Sequence, residues 1–203
     1  MGSEAKCTVR FKSKTASGTA RLETDVLQFR GGDLRLSIPF KSITKLSADA
    51  NALTVTSSDG VASFALGAAA AKWAEKIRNP PSRLQKLGVK PDWRASALGV
   101  EDEAFLAELE GAVAHLSIGR VQKDSDAIFY GVTKEAQLAR LDKLKTSIKP
   151  NGAIWIVRPK GRPEISESAT MAAGKAAGLV DVKVVSFSPT HTAEKFVIPV
   201  KQR

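Results

Sequence analysis

The chain has 203 residues, of which 43% are hydrophobic and 26% charged, enough for one large or two small folded domains. The longest run without charge, residues 60–71, is too short to cross a bilayer, and the single cysteine excludes both an intrachain disulfide and a cysteine-based zinc cage. No apolar signal-peptide core follows Met1, so we expect a soluble cytoplasmic protein.

The net charge of +10 is unevenly spread on either side of residue 90. Residues 1–90 hold 15 Lys/Arg against 7 Asp/Glu, whereas residues 91–203 hold 16 against 14. A basic first half favours an acidic partner, which could be nucleic acid, anionic lipid or an acidic protein. The alternative is a charged surface that serves only solubility.

The first part of the chain alternates between apolar and polar residues, the period of a half-buried strand. In KCTVRFK, Cys7, Val9 and Phe11 share one face, and six similar stretches follow as far as VASFAL. Gly31-Gly32 and Asp59-Gly60 predict hairpin turns. AAAAKWAEKIRN then changes to a helical period. We therefore predict, over residues 1–79, an antiparallel β-barrel or sandwich capped by a C-terminal helix.

Seven strands followed by one helix resembles a small bacterial pleckstrin-homology-like domain. The resemblance covers about residues 5–79 and depends on the order of elements. Some members of that class bind phosphoinositides through cations around the first hairpin, and Lys12, Lys14 and Arg21 fall in the matching region with a different spacing. Together with Arg10, they are the candidate contacts for an acidic partner, with nucleic-acid binding as an alternative.

Residues 80–92 are predicted to be a linker with a short helix, about 82–87, because Pro80-Pro81 stops the preceding helix. From residue 93 onward, continuous apolar strands alternate with helices. Since such strands are typical of sheets covered on both faces, residues 93–203 predict a three-layer α/β domain. We expect its sheet to be mostly parallel, with an antiparallel last strand. The predicted strands are RASALGV, VAHLSIG, AIFYGV, AIWIVR, DVKVVSF and KFVIPV.

The second half resembles the class I S-adenosylmethionine-dependent methyltransferase fold. LKTSIKPNGAIWIVRPK is similar to the helix, turn and fifth strand of that Rossmann-like fold, and the closing stretch to its sixth and reversed seventh strands. YGVTKEAQLARLDKLK and THTAEKFVIP resemble a small bacterial family of unassigned function with a shortened version of the fold. The glycine-rich cofactor loop of methyltransferases is absent, since ALGVEDEAF has one glycine, so no cofactor is predicted.

Ligands of an open parallel sheet bind beyond the carboxyl ends of its strands. RPKGR follows a buried strand at this edge and brings three cations close to a helix start, which predicts an anion site. The candidate anion-binding residues are Tyr130, Thr133, Arg158, Lys160, Arg162 and His191. The two histidines, His115 and His191, have no acids at ligand spacing, so no metal site is predicted, and no catalytic motif is present.

These patterns favour a non-catalytic binding or regulatory protein that recognises an acidic partner or a small anion. One alternative is an enzyme with a reduced nucleotide or S-adenosylmethionine pocket. Another is nucleic-acid binding through the basic first domain.

Overall fold

The computed structural model describes residues 2–203, which form two compact units that divide between Ser82 and Arg83. We call these the first and the second unit. With this boundary the first unit holds 12 Lys/Arg against 7 Asp/Glu and the second 19 against 14, so each carries +5. The positive charge is therefore not concentrated in the first unit, because Arg83, Lys86 and Lys90, which were counted with residues 1–90, belong to the second unit. Among the described helices, none is long and apolar enough to cross a membrane.

The first unit is built on one seven-stranded antiparallel sheet and one helix. Its strand order is β4-β3-β2-β1-β7-β6-β5, and every pair of neighbours is antiparallel. The elements are β1 (Ser3–Phe11), β2 (Lys14–Leu22), β3 (Val26–Gly31), β4 (Leu34–Pro39), β5 (Ile43–Ala48), β6 (Leu53–Ser57), β7 (Gly60–Phe64) and α1 (Ala69–Arg78).

The prediction of an antiparallel β-barrel or sandwich of the pleckstrin-homology type is wrong, because the sheet is an open half-barrel. Its edge strands β4 and β5 do not pair with each other within residues 2–203. Pro39, which has no amide hydrogen, ends β4, and a register shift between Ile43 and Lys45 interrupts β5. Both features break the regular ladder that closure between these edges requires.

The apolar face of α1 packs on the core of this sheet, as its helical period predicts. Ala70, Trp73 and Ile77 are buried in one cluster with Phe29 and Phe64, whose rings meet edge to face with centroids 6.4 Å apart. Burial of a large aromatic side chain contributes about 2 to 3 kcal/mol to folding, so Trp73 is a major anchor of the helix.

The second unit contains a six-stranded sheet with helices on both faces. Its strand order is β12-β13-β11-β10-β8-β9. The elements are α2 (Arg83–Leu87), β8 (Arg94–Leu98), α3 (Glu103–Glu110), β9 (His115–Ile118), β10 (Ser125–Gly131), a 3-10 helix (Glu135–Arg140), α4 (Leu141–Lys145), β11 (Ile148–Pro159), α5 (Glu167–Ala176), β12 (Val180–Ser186) and β13 (His191–Val197).

The prediction of a mostly parallel sheet is wrong, because the sheet is mixed. The pairs β9–β8, β8–β10 and β10–β11 are parallel, whereas β13 is antiparallel to both β11 and β12. A short turn joins β12 to β13, and this hairpin inserts the last strand between β11 and β12. A hairpin necessarily reverses the chain, so β13 adds an antiparallel ladder on each of its sides.

Alternate residues of the central strands face different helices. Ile128 and Ile154 belong to a cluster with α4 and α5, whereas Phe129 and Trp155 belong to a cluster with α2 and α3. This alternation follows from the pleat of a strand, in which successive side chains point to opposite faces. Ile148 begins β11 and pairs with Ser125.

A short loop, residues 119–124, joins the parallel strands β9 and β10, which flank β8 on opposite sides. It is too short to contain a helix and a further strand. Buried serines fix the loop against β8: the Ser96 hydroxyl accepts a hydrogen bond from the Gln122 amide at 3.0 Å, and the Ser125 hydroxyl donates to the Gln122 carbonyl at 2.7 Å. The loop thus covers a sheet face that a helix would otherwise cover.

Candidate functional site

A cleft of about 270 Å³ lies in the second unit at the carboxyl ends of β8, β10 and β11. We call it the carboxyl-edge cleft. This edge is where ligands bind in open sheets with parallel strands. The turn between β12 and β13 closes one side. The lining residues are Gly99, Val100, Glu101, Asp102, Gly131, Val132, Thr133, Val157, Phe187, Ser188, Thr190 and His191.

Two glycines at the ends of neighbouring strands bring backbone close to backbone in the cleft. Gly99 follows β8 with a φ of +67°, in the left-handed region that favours glycine. A side chain on Gly131, at the end of β10, would overlap the carbonyl oxygen of Gly99. Because neither residue has a side chain, peptide groups form this part of the cleft wall.

An ionised carboxylate, that of Asp102, lines the cleft at the start of α3. One oxygen accepts a hydrogen bond from the Phe105 amide at 2.8 Å, and the other accepts from the Arg83 guanidinium at 2.6 Å. Burial alone would raise the pKa of Asp102, but these two hydrogen bonds, the charge of Arg83 and that of His191 together lower it. Asp102 is therefore a fixed negative charge at neutral pH.

Arg83 holds this wall in place. Its guanidinium lies 5.0 Å from the ring centre of Phe105 and 5.1 Å from that of Phe187, and it also pairs with Glu108 at 2.9 Å. Stacking and ion pairing together link α2, α3 and the strand hairpin. No local sequence pattern marks this role, because the partners of Arg83 lie far along the chain.

His191 and Thr133 are the two predicted site residues that line the cleft. The Nδ1 atom of His191 lies 2.9 Å from the Thr190 hydroxyl oxygen, within hydrogen-bonding distance. The Thr133 amide donates to the side-chain oxygen of Gln137 at 2.8 Å. The cap residue of the 3-10 helix that follows is Lys134.

Arg158 does not line the cleft. Its guanidinium donates to one oxygen of the fully buried Glu194 carboxylate, with Nε at 2.7 Å and Nη2 at 2.6 Å, and the Thr170 hydroxyl donates to the other oxygen. Val157 lines the cleft, so the strand pleat turns its neighbour Arg158 to the opposite face. The predicted cations thus do not converge.

The other predicted anion ligands also lie outside the cleft lining. Lys160 donates to the Ser186 hydroxyl at 2.9 Å and to the Ser188 carbonyl at 2.8 Å. The Tyr130 hydroxyl donates to the Gln137 carbonyl at 2.7 Å, and burial raises the pKa of Tyr130 while Arg140 partly offsets this. Arg162 is exposed in the turn after β11.

In the first unit, the candidate cations for an acidic partner lie on or beside the β1–β2 hairpin. Arg21 pairs with Glu4 at 2.7 Å, and both side chains are more than half exposed. The Lys12 ammonium lies 5.2 Å from the Phe11 ring centre in the turn. Arg10 and Lys14 are exposed. Three of the four thus have no salt bridge within residues 2–203.

No group of three or more His, Cys, Asp or Glu side chains suited to a metal ion occurs within residues 2–203. Polar groups in the carboxyl-edge cleft are instead carboxylates, hydroxyls, one imidazole and peptide groups. Within its lining there is neither lysine nor arginine. The cleft is therefore suited to ligands that carry positive charge or donate hydrogen bonds.

No family model and no curated protein matches the chain. Among solved structures, it is similar to a SAM-dependent methyltransferase from Aquifex aeolicus, at 19% identity over 61% of this chain and 96% of that chain, with a TM-score of 0.45. A SAM-dependent O-methyltransferase from Thermotoga maritima is 12% identical over 96% and 93%, with a TM-score of 0.44. The fibrillarin pre-rRNA processing protein of Methanococcus jannaschii is 12% identical over 96% and 98%, with a TM-score of 0.41. Similarity at this level identifies no activity and no family.

Proposed function

We propose that the second unit binds S-adenosylmethionine, or a closely related cationic nucleoside, in the carboxyl-edge cleft. The observation that supports this most is the charge of the lining, which holds Glu101 and Asp102 and neither lysine nor arginine. Arg83, which pairs with Asp102, also pairs with Glu108, so it does not cancel the negative charge of this region. Asp102 is ionised at neutral pH, since its pKa is lowered. An acidic lining attracts a cation such as a sulfonium and repels a free phosphate.

The chemistry of the lining fits this ligand class. Glu101, exposed at the start of α3, would attract the positive sulfonium or amino group, and the peptide groups of Gly99 and Gly131 would lie against the ligand without side chains between. The Thr133 hydroxyl and the His191 imidazole add hydrogen-bonding groups. S-adenosylmethionine supplies an activated methyl group when bound.

The size of the cleft and its glycine content limit the proposal to a reduced site. About 270 Å³ is slightly less than the roughly 300 Å³ at which pockets for drug-sized ligands begin. Gly99 is followed by Glu101, Asp102 and Glu103 in place of further glycines. We therefore propose binding of the ligand with part of it exposed, and we assign no methyl acceptor.

Calorimetric titration of the full chain with S-adenosylmethionine, S-adenosylhomocysteine and ATP tests the proposal. The sulfonium compound should bind more tightly than the uncharged thioether, and ATP should not compete for the cleft. Glu101→Gln should weaken binding about three- to tenfold, which is the loss of one partly screened charge interaction of about 1 kcal/mol. Glu103→Gln is the matched control, since this exposed acid in the same turn does not line the cleft. Flat titrations, or equal effects of the two variants, would refute the proposal.

A second candidate function is recognition of an acidic protein surface by the first unit. It is favoured by Arg10, Lys12 and Lys14, which are exposed and make no salt bridge within residues 2–203. Binding of a polyglutamate peptide should weaken steeply between about 50 and 200 mM salt and should be lost on Lys12→Gln/Lys14→Gln. If a single-stranded oligonucleotide binds while the peptide does not, the partner is nucleic acid instead.

A further inference from the structure

A group of cations lies on the sheet of the second unit, away from the carboxyl-edge cleft. Lys183 on β12 and Lys195 on β13 are cross-strand partners in an antiparallel ladder. Side chains directly opposite each other lie on the same face about 5 Å apart, and like charges in such pairs are destabilising. The Lys195 ammonium also lies 5.7 Å from the ring centre of the fully buried Trp155.

Two more cations act on Lys195, and we call the four residues Lys90, Lys183, Lys195 and Arg203 the basic cluster. Burial, followed by the charges of Lys183, Arg203 and Lys90, lowers the pKa of Lys195. Every charge that shifts this group is positive. The Lys195 ammonium is therefore half-buried among charges of its own sign.

No carboxylate of the described residues lies within salt-bridge distance of the basic cluster. Within residues 2–203 none of its members takes part in a salt bridge. Lys183 instead donates to the Lys86 carbonyl at 2.7 Å, and Arg203 donates to the Ile198 carbonyl at 2.9 Å. These contacts fix two of the cations in position but leave their positive charge uncancelled.

We propose that the basic cluster binds a compact phosphate anion of the size of pyrophosphate. An anion with several oxygens accepts charge-assisted hydrogen bonds from more than one lysine at once and removes the repulsion between Lys183 and Lys195. The site is independent of the proposed cleft ligand, since no member of the basic cluster lines the cleft. The charges of Lys90, Lys183 and Arg203 all act on the half-buried Lys195. A compact anion fits such a single centre better than an extended polyanion does.

The test is calorimetric titration of the full chain with sodium pyrophosphate at low ionic strength, without added metal ions. Lys195→Gln removes the charge and leaves a shorter, uncharged polar side chain, and it should weaken binding at least tenfold. Lys183→Gln, at an exposed position, should act in the same direction. Lys175→Gln is the matched control, because this exposed lysine on α5 lies outside the basic cluster and its loss changes the net charge equally. Its affinity should stay within about twofold of the original chain.

Thermal unfolding gives a second readout that separates binding from general charge effects. In anion-free buffer, Lys195→Gln should raise the unfolding midpoint, because it removes like-charge repulsion. Pyrophosphate should raise the midpoint of the original chain and not that of the variant. No pyrophosphate binding, or equal losses in Lys195→Gln and Lys175→Gln, overturns the proposal. So does binding of a single-stranded oligonucleotide that depends on Lys195 while pyrophosphate does not bind.

Discussion

Replacement of Arg158 by methionine should destabilise the second unit strongly. The Arg158 side chain is 9% exposed and that of Glu194 is 0% exposed. Without Arg158, the Glu194 carboxylate keeps only the Thr170 hydroxyl as a donor. Removal of one partner of a buried ion pair leaves an uncompensated charge and costs about 3 to 5 kcal/mol. That is a large part of the 5 to 15 kcal/mol that typically stabilises a domain.

The double variant Arg158→Met/Glu194→Leu should regain the stability that the single variant loses. When both charges are replaced by apolar groups of similar size, no buried charge is left unpaired, and stability should return to within about 1 kcal/mol of the original chain or exceed it. Arg21→Met is the control for loss of an ion pair at the surface. Its pair with Glu4 has both side chains more than half exposed, so the cost should be at most about 1 kcal/mol.

Guanidinium chloride unfolding measures these free energies, and hydrogen exchange of β13 amides assigns the change to the second unit. A single variant Arg158→Met within about 1 kcal/mol of the original chain would contradict the argument. A double variant as unstable as the single one would contradict it equally, because the cost would then come from packing and not from the stranded carboxylate.

Two other substitutions have defined outcomes. Gly131→Ala should destabilise the second unit by about 1 to 3 kcal/mol, because the added methyl group would overlap the Gly99 carbonyl oxygen. Urea unfolding measures this loss. An unchanged unfolding midpoint would disprove the close approach of Gly131 and Gly99. Asp102→Asn should cost about 1 to 2 kcal/mol at pH 7. The pKa of Asp102 is lowered by folding, so its contribution is present above the unfolded pKa of about 3.9 and is lost as the pH falls through the lower folded value. Unfolding midpoints of the two chains should therefore converge in acid, and a constant difference would show that charge is not involved.

Local periodicity was sufficient to predict many elements but not their assembly. The alternation around Val9 predicted β1, and the apolar run from Ile154 to Val157 predicted a strand buried on both faces, both of which the structure confirms. Local patterns could not predict whether the first sheet closes or where β13 lies in the second sheet. Both depend on which strands pair across long separations in the sequence. Sequence patterns specify a strand's faces but not its neighbours.

The sequence predicted the edge of the sheet at which the candidate site lies, but not most of the side chains that line it. The edge beyond the parallel strands was identified, with Thr133 and His191 on it. Arg158 lies outside the cleft lining because it pairs with Glu194 on another strand, and no sequence pattern near either residue predicts that pair. Asp102 also lines this edge. Its fixation by Arg83 depends on Phe187, which the hairpin brings close.

The loop that Gln122 and the buried serines hold across β8 also sets how the chain can change in length. Seven peptide steps, from Ile118 to Ser125, reach at most about 25 Å, and they must pass over one strand and return to the start of the next parallel one. Deletions there should disrupt the parallel pairing of β10, whereas insertions should be tolerated, since doubling a flexible loop costs only about 0.6 kcal/mol. Residues 119–124 are thus a place where this chain can gain a segment but not lose one.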